Sequence, residues 1–280
     1  KGGTGKTLVA TNLALVARDL GPAALLDADV EAPNAALFLR PELDRRWTVE
    51  QQVPAVDIDR CLHCGRCAEV CQYHAIAALP AATLVFADLC HGCGSCALNC
   101  PAQAIRETPH AIGRIEAGRA GALGFAQGTL DVGEAMSTPV IRALKRCADE
   151  AGWGAGDLII DAPPGTACPV IETLRSADVA LLATEPTPFG LHDLRLAVEV
   201  ARGALDLPVA VVLNKSGTDD ASIEDYCHDE GLPILLRLPL QREIAVACSL
   251  GRPLVEAMPS YRANFEALLR ATRDLAGGRP

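Results

Sequence analysis

The apolar residues of this chain fall into short continuous runs separated by longer amphipathic stretches. Five runs, at 23–26, 158–160, 179–183, 209–213 and 234–238, are each bounded by turn residues or an amphipathic stretch. Unbroken runs of this length are expected of strands buried on both faces, as in parallel sheets. Around them the apolar positions take helical spacing over 7–19, 139–151, 169–176, 192–204 and 223–230. Ser137-Thr138-Pro139 reads as a helix start, with a capping hydroxyl ahead of a proline in the first turn. Tyr261, Phe265, Leu268, Leu269 and Leu275 form a final stripe. It reads as a core-packing helix rather than a basic membrane-surface helix. Strand–helix alternation at this spacing predicts an α/β fold with a doubly wound, mostly parallel sheet.

One stretch breaks the pattern. Residues 49–108 are rich in cysteine and lack long periodic segments. The expected organisation is a discontinuous α/β domain over 1–48 and 109–280, with 49–108 as a small inserted α+β domain. Only 4% of the 280 residues are aromatic, so Ala, Val, Leu and Ile must fill the core. A net charge of −10 argues against nucleic acid or an anionic membrane surface as the main partner. No apolar run reaches the ~18 residues of a membrane span. We therefore expect a cytoplasmic chain.

The chain has twelve cysteines. Eight form two clusters at metal-ligand spacing, which suits a reducing compartment better than a disulfide framework. Cys61, Cys64, Cys67 and Cys71 recur 29 residues on as Cys90, Cys93, Cys96 and Cys100, and Ala75-Ile76 recurs as Ala104-Ile105. Each half reads C-x2-C-x2-C-x3-C, the bacterial ferredoxin run. In that run three thiolates wrap one 4Fe–4S cube and the fourth reaches the other. The expected ligand sets are Cys61, Cys64, Cys67 with Cys100, and Cys90, Cys93, Cys96 with Cys71. Zinc is the competing reading, but it calls for separate four-ligand groups rather than two three-plus-one sets. Pro101 follows the second run, whereas Gln72 stands at the matching place in the first. Gly65, Gly92 and Gly94 suit tight turns, and His63 and His91 read as solvated loop residues. Cys147, Cys168, Cys227 and Cys248 are scattered and read as small buried hydrophobes.

The chain opens Lys1-Gly2-Gly3-Thr4-Gly5-Lys6-Thr7 and runs into a helix. Such a loop lets backbone N–H groups close around a phosphate at a helix N-terminus. Lys6 is expected on the β- and γ-phosphates, and the Thr7 hydroxyl on Mg²⁺. The strand that the general pattern places ahead of the loop would precede Lys1. Asp161 ends the apolar run 158–160 and is followed by Ala162-Pro163-Pro164-Gly165-Thr166. Asp161 is suited to the magnesium water shell, and Gly165 can turn toward a γ-phosphate. Asp27, Asp29 and Glu31 follow the first apolar run, at the carboxyl end of the sheet where open α/β folds bind ligands. One of these carboxylates can orient an attacking water.

Lys1 to Thr7 resembles the deviant Walker A loop of P-loop ATPases of the MinD, ParA, ArsA and nitrogenase iron-protein class. That resemblance implies that Lys1 reaches across a nucleotide-sandwich homodimer to the partner's phosphates. It implies that Asp27 and Asp29 are switch I aspartates, with Asp29 activating water, and that 161–166 is switch II. It also places Asn214 on adenine and Pro239 in the loop that packs on the base. The motifs 29–34 and 185–193, with the insertion point, make the chain similar to MinD-superfamily ATPases that carry an inserted ferredoxin domain.

The implied cofactors are ATP, Mg²⁺ and two 4Fe–4S clusters. We expect an ATPase that couples nucleotide-driven dimer changes to electron transfer to a redox partner. An iron–sulfur or metal-cofactor assembly ATPase is the alternative, and a MinD-type positioning ATPase ranks third. Cys168, seven residues after Asp161, resembles in spacing the bridging-cluster cysteine of nitrogenase iron protein. A buried thiol is preferred there, because 109–135 offers no second bridging cysteine.

Overall fold

Residues 2–277 are described by the computed structural model. Lys1, expected to reach a partner's phosphates, lies outside the described residues, as does any strand ahead of it. Along the chain, α1 (Lys6–Leu20) leads to β1 (Ala23–Asp27), α2 (Ala35–Leu39) and the long β2 (Glu42–Val56). The cysteine-rich stretch supplies α3 (Arg66–Glu69), the hairpin β3 (Ile76–Leu79) and β4 (Ala82–Val85), and α4 (Ser95–Leu98). Next come β5 (Ile105–Ala120), β6 (Leu123–Leu130), α5 (Ser137–Glu150) and β7 (Asp157–Asp161). The remainder alternates as α6 (Cys168–Leu174), β8 (Ala180–Thr184), α7 (Pro188–Val198), β9 (Val209–Ser216), α8 (Ala221–Asp229) and β10 (Ile234–Pro239). It ends with α9 (Arg242–Ser249), α10 (Leu254–Ala257) and α11 (Arg262–Gly277).

All five expected strands form, but they do not make one mostly parallel sheet. A five-stranded sheet has the order β2-β5-β6-β1-β7, and a separate three-stranded sheet the order β10-β9-β8. β6, β1 and β7 run parallel, whereas β5 is antiparallel to β6 and β2 antiparallel to β5. The three-stranded sheet is wholly parallel. The five-stranded sheet is thus mixed.

One core joins the two sheets. α1 and α11 lie across both, so that Leu13, Val16, Phe265 and Leu268 pack with Leu25 and Phe125 of one sheet and Val212 and Leu238 of the other. Burying a side chain of this size contributes about 1.5–3 kcal/mol. The final helix is therefore part of the core, as its stripe predicts. On the opposite face α5 covers the five-stranded sheet through Val140, Ile141 and Leu144. α7 and α8 cover the smaller sheet through Leu194, Val198 and Ile223. The start of α5 differs from expectation. Ser137 lies inside the helix, is 4% exposed and caps nothing; Met136 holds the cap position.

β7 and β8 face each other without pairing. Between them is a cleft of about 300 Å³, lined by Ile159, Leu181 and Val212 and roofed by Val9 and Leu13 of α1 and Leu269 of α11.

The cysteine-rich stretch is carried on a ribbon rather than on flexible linkers. β2 and β5 pair continuously from Glu42↔Arg119 to Val56↔Ile105, through the expected limits at 49 and 108. β6 pairs with β5 only as far as Gly113, so beyond it the ribbon stands free of the sheet. A register shift between Val49 and Glu50 marks this point. The internal repeat is visible in the backbone. Val56↔Ile105 at the ribbon tip corresponds, with the same 29-residue offset, to Ile76↔Val85 in the β3–β4 hairpin. Likewise the Asp57 N–H donates to the Ala104 carbonyl as the Phe86 N–H donates to the Ala75 carbonyl.

Candidate active site and cysteine sites

The glycine loop is built for close approach to a ligand. Gly3 and Gly5 have φ of 86° and 95°, the left-handed region that glycine occupies freely. Gly5 immediately precedes α1, whose first turn carries no acidic residue, so its positive dipole end suits an anion. A Cβ at Gly5 would also collide with the Asn214 side-chain amide. That amide donates to the Thr4 carbonyl at 2.9 Å. Asn214, expected on adenine, thus also holds the loop, from near the end of β9. Sequence reading missed this contact because the two residues lie 210 positions apart.

Asp27 and Asp161 are register partners at the ends of β1 and β7. Asp27 is fully buried and accepts backbone N–H groups from Asn34 and Ala35 at 2.8 Å and from Asp29 at 3.2 Å. It therefore ties down the loop that carries Asp29. Burial pushes its carboxyl up to about 6, against those three N–H groups. Asp161 is 3% exposed. Burial pushes it up to about 7; the Thr7 hydroxyl, donating to it, and Lys6 oppose the rise, and Asp27 and Asp29 add to it. Asp29 is raised as well, chiefly by partial burial, with Lys6 pulling the other way.

One oxygen of Asp161, Oδ1, is buried without a hydrogen-bond partner. A buried, unpartnered carboxylate oxygen beside two further carboxylates and the Thr7 hydroxyl calls for a cation. An all-oxygen donor set of this kind fits Mg²⁺. Beyond β7, Gly165 has φ 95° with open space around it. Cys168, at the start of α6, is exposed, not the buried thiol expected from sequence, whereas Cys147 and Cys227 are buried. Two contacts near this site escaped sequence reading. Lys145 of α5 donates to the Glu172 carbonyl at 3.1 Å and to that of Arg175, fixing the end of α6. The buried Glu185 pairs with Lys215 at 2.6 Å. Pro239 ends β10 opposite Ser216, with the exposed Leu240 beyond it.

The eight clustered cysteines divide between two small cavities of about 20 Å³ each. Cys61, Cys64, Cys67 and Cys100 line one; Cys71, Cys90, Cys93 and Cys96 line the other. Each group joins three thiols of one run to the last thiol of the other. The repeat holds at the sulfurs, since the Ala75 N–H donates to Cys71 Sγ and the Ala104 N–H to Cys100 Sγ, both at 3.3 Å. Gly65, Gly92 and Gly94 all have positive φ. Burial raises the thiols of Cys67, Cys90 and Cys96, so bound metal charge would be needed to hold them as thiolates. Four convergent thiols per cavity fit an iron–sulfur cube in donor type and number. His91 is not simply solvated: its ring stacks on Tyr73 at 3.5 Å. Gln51 of β2 donates to the Cys90 carbonyl at 2.5 Å, tying the second cysteine loop to the ribbon.

Residues 1–254 match the CobQ/CobB/MinD/ParA nucleotide binding domain family. The chain belongs to that family. It is a P-loop ATPase. An uncharacterized protein of Methanocaldococcus jannaschii is 36% identical over 223 residues, covering 79% of this chain and 77% of that protein. An iron-sulfur cluster carrier protein of Pyrococcus horikoshii is 30% identical over 145 residues, 45% of this chain and 49% of that protein. Among solved structures, the septum site-determining protein MinD with Mg-ADP from Pyrococcus horikoshii has a TM-score of 0.58 at 21% identity, over 99% of this chain and 94% of that one. At that identity the likeness concerns the fold. No helix among the described residues of the ATPase is long and apolar enough to cross a membrane.

Proposed function

We propose that this ATPase is an ATP-gated electron carrier. It binds Mg-ATP between two copies of the chain and holds two 4Fe–4S clusters in the segment borne by the β2–β5 ribbon. Lys6 contacts the phosphates, Thr7 and Asp161 hold Mg²⁺, which neutralises developing phosphate charge, and Asp29 orients the attacking water. Lys1 reaches the partner copy's phosphates. Cys61, Cys64, Cys67 and Cys100 hold one cluster, and Cys71, Cys90, Cys93 and Cys96 the other. When bound, the clusters supply one-electron redox chemistry to a partner protein.

The ribbon is the observation that carries this reading. Its base lies in the nucleotide-binding sheet and its tip bears all eight thiols, so a change at the Asp27–Asn34 loop has a stiff element through which to move the cysteine segment. A complete set of eight ligands suits clusters held for electron transfer. The second reading, a cluster carrier, is favoured by the similarity to an iron-sulfur cluster carrier protein over about half the chain. Iron analysis and electron paramagnetic resonance on protein isolated without oxygen test the proposal. It requires about eight irons per chain and a reduced signal from two interacting centres. Bound zinc without iron would sink it.

A further inference from the structure

Three side chains from separate elements converge where the cysteine segment folds back on the ribbon. Asp88 lies in the short 3₁₀ turn Ala87–Leu89, His110 on β5, and Glu134 in the loop between β6 and α5. One ligand atom from each lies within 4.8 Å of the other two. His110 Nε2 and Glu134 Oε1 are already 2.8 Å apart, and the Glu134 side chain is only 13% exposed. Asp88 is exposed. We propose that Asp88, His110 and Glu134 bind a divalent transition-metal ion of the Zn²⁺ class, which clamps the cysteine segment to the nucleotide-binding core.

The donor set decides the class. One imidazole with two carboxylates suits Zn²⁺ and its neighbours, whereas Mg²⁺ and Ca²⁺ favour oxygen alone. Ligands about 2.1 Å from a tetrahedral ion lie about 3.4 Å from one another, so the hydrogen-bonded His110–Glu134 pair, at 2.8 Å, would open slightly to admit the ion, and all three ligand atoms already lie within 4.8 Å. A cation also offsets the two carboxylates gathered beside the imidazole. The site belongs to neither cysteine cavity and contains no residue of the phosphate loop.

Its position gives it consequence. Asp88 stands two residues before Cys90, whose carbonyl is held by Gln51, the cross-strand partner of His110. On the other side, the Asp131 N–H donates to the Ile112 carbonyl at 2.9 Å and the Leu130 N–H to the Val30 carbonyl at 2.8 Å. Val30 follows Asp29. The ion would thus join the cysteine loop to the loop that follows β6, the strand whose last residue, Leu130, is bonded to the segment carrying Asp29.

The test is equilibrium dialysis of the anaerobically isolated full chain against micromolar Zn²⁺ with excess Mg²⁺, with zinc and iron counted together. D88N changes an exposed residue and E134Q keeps side-chain shape. We expect each to weaken one zinc per chain by at least about 10-fold, the loss typical of removing even an outer-shell partner, at unchanged iron content. Equal zinc affinity in wild type and both variants, or no stoichiometric zinc beyond the thiol-bound fraction, overturns the site. Both variants leave every cysteine intact. The comparison therefore reads the same whether or not the thiols carry clusters, and it fails independently of the electron-carrier proposal.

Discussion

Asp27 and Asp161 face each other across adjacent parallel strands, each almost wholly buried and each with its carboxyl raised. Burial, more than their mutual repulsion, makes ionisation of the unliganded pair unfavourable, and a cation relieves that cost. Burial pushes the Asp161 carboxyl up to about 7 and that of Asp27 up to about 6, from the 3.8 of an ordinary Asp. The folded state therefore binds more protons than the unfolded state between about pH 4 and pH 7, and stability falls as pH rises through that window. We expect nucleotide-free, Mg²⁺-free protein to lose stability on going from pH 5 to pH 8. D161N should flatten the dependence and gain on the order of 1 kcal/mol or more at pH 8. Urea unfolding at a series of pH values checks this; a wild-type stability that rises over the window contradicts it.

The phosphate loop gives a sharper prediction. Lys6→Ala should abolish ATP turnover while leaving the fold intact, since Lys6 is expected to act on the phosphates. Gly5→Ala should also abolish it, through backbone strain of about 1–3 kcal/mol at positive φ and collision with Asn214. Asn214→Ala removes the collision but not the strain, so the double variant should stay inactive. Steady-state turnover together with thermal melting separates these effects.

The cross-paired cysteine sets are testable by double substitution. C61S/C100S touches one set and should leave about four irons per chain, whereas C61S/C71S touches both and should leave nearly none. If the two runs instead bound separately, the second double variant would be the one to retain four.

Much of the chemistry was legible because it is local. The glycine loop, the aspartates ending apolar runs and the repeated cysteine spacing each lie within a few residues. The ribbon was not legible. Residues 42–48 are exposed throughout and mostly polar, with only Leu43 and Trp47 apolar, so they carry no regular alternation, and Pro54 and Pro109 argue against strand where an edge ribbon tolerates them. β6 was hidden by Gly124 and Gly128, whose missing side chains admit Trp153 and Val30. The Asn214–Thr4 contact and the Asp88–His110–Glu134 group arise only from tertiary folding.

The ribbon's attachment to the sheet predicts a stability effect. A Cβ at Gly118 would collide with the Glu42 carbonyl across the β2–β5 ladder. Gly118→Ala should destabilise the protein by about 1–3 kcal/mol, the usual cost of overpacking. Denaturant midpoints measure it, and an unchanged midpoint contradicts the close strand approach.

The central claim is that nucleotide chemistry and the cysteine segment work as one device. Its most direct test is the steady-state rate of ATP hydrolysis by anaerobically isolated protein, measured with the clusters oxidised and then reduced. The account predicts a clear difference between the two rates, lost in the C61S/C71S variant. Equal rates in the two redox states would contradict it and leave cluster delivery to an apo-protein as the function to test.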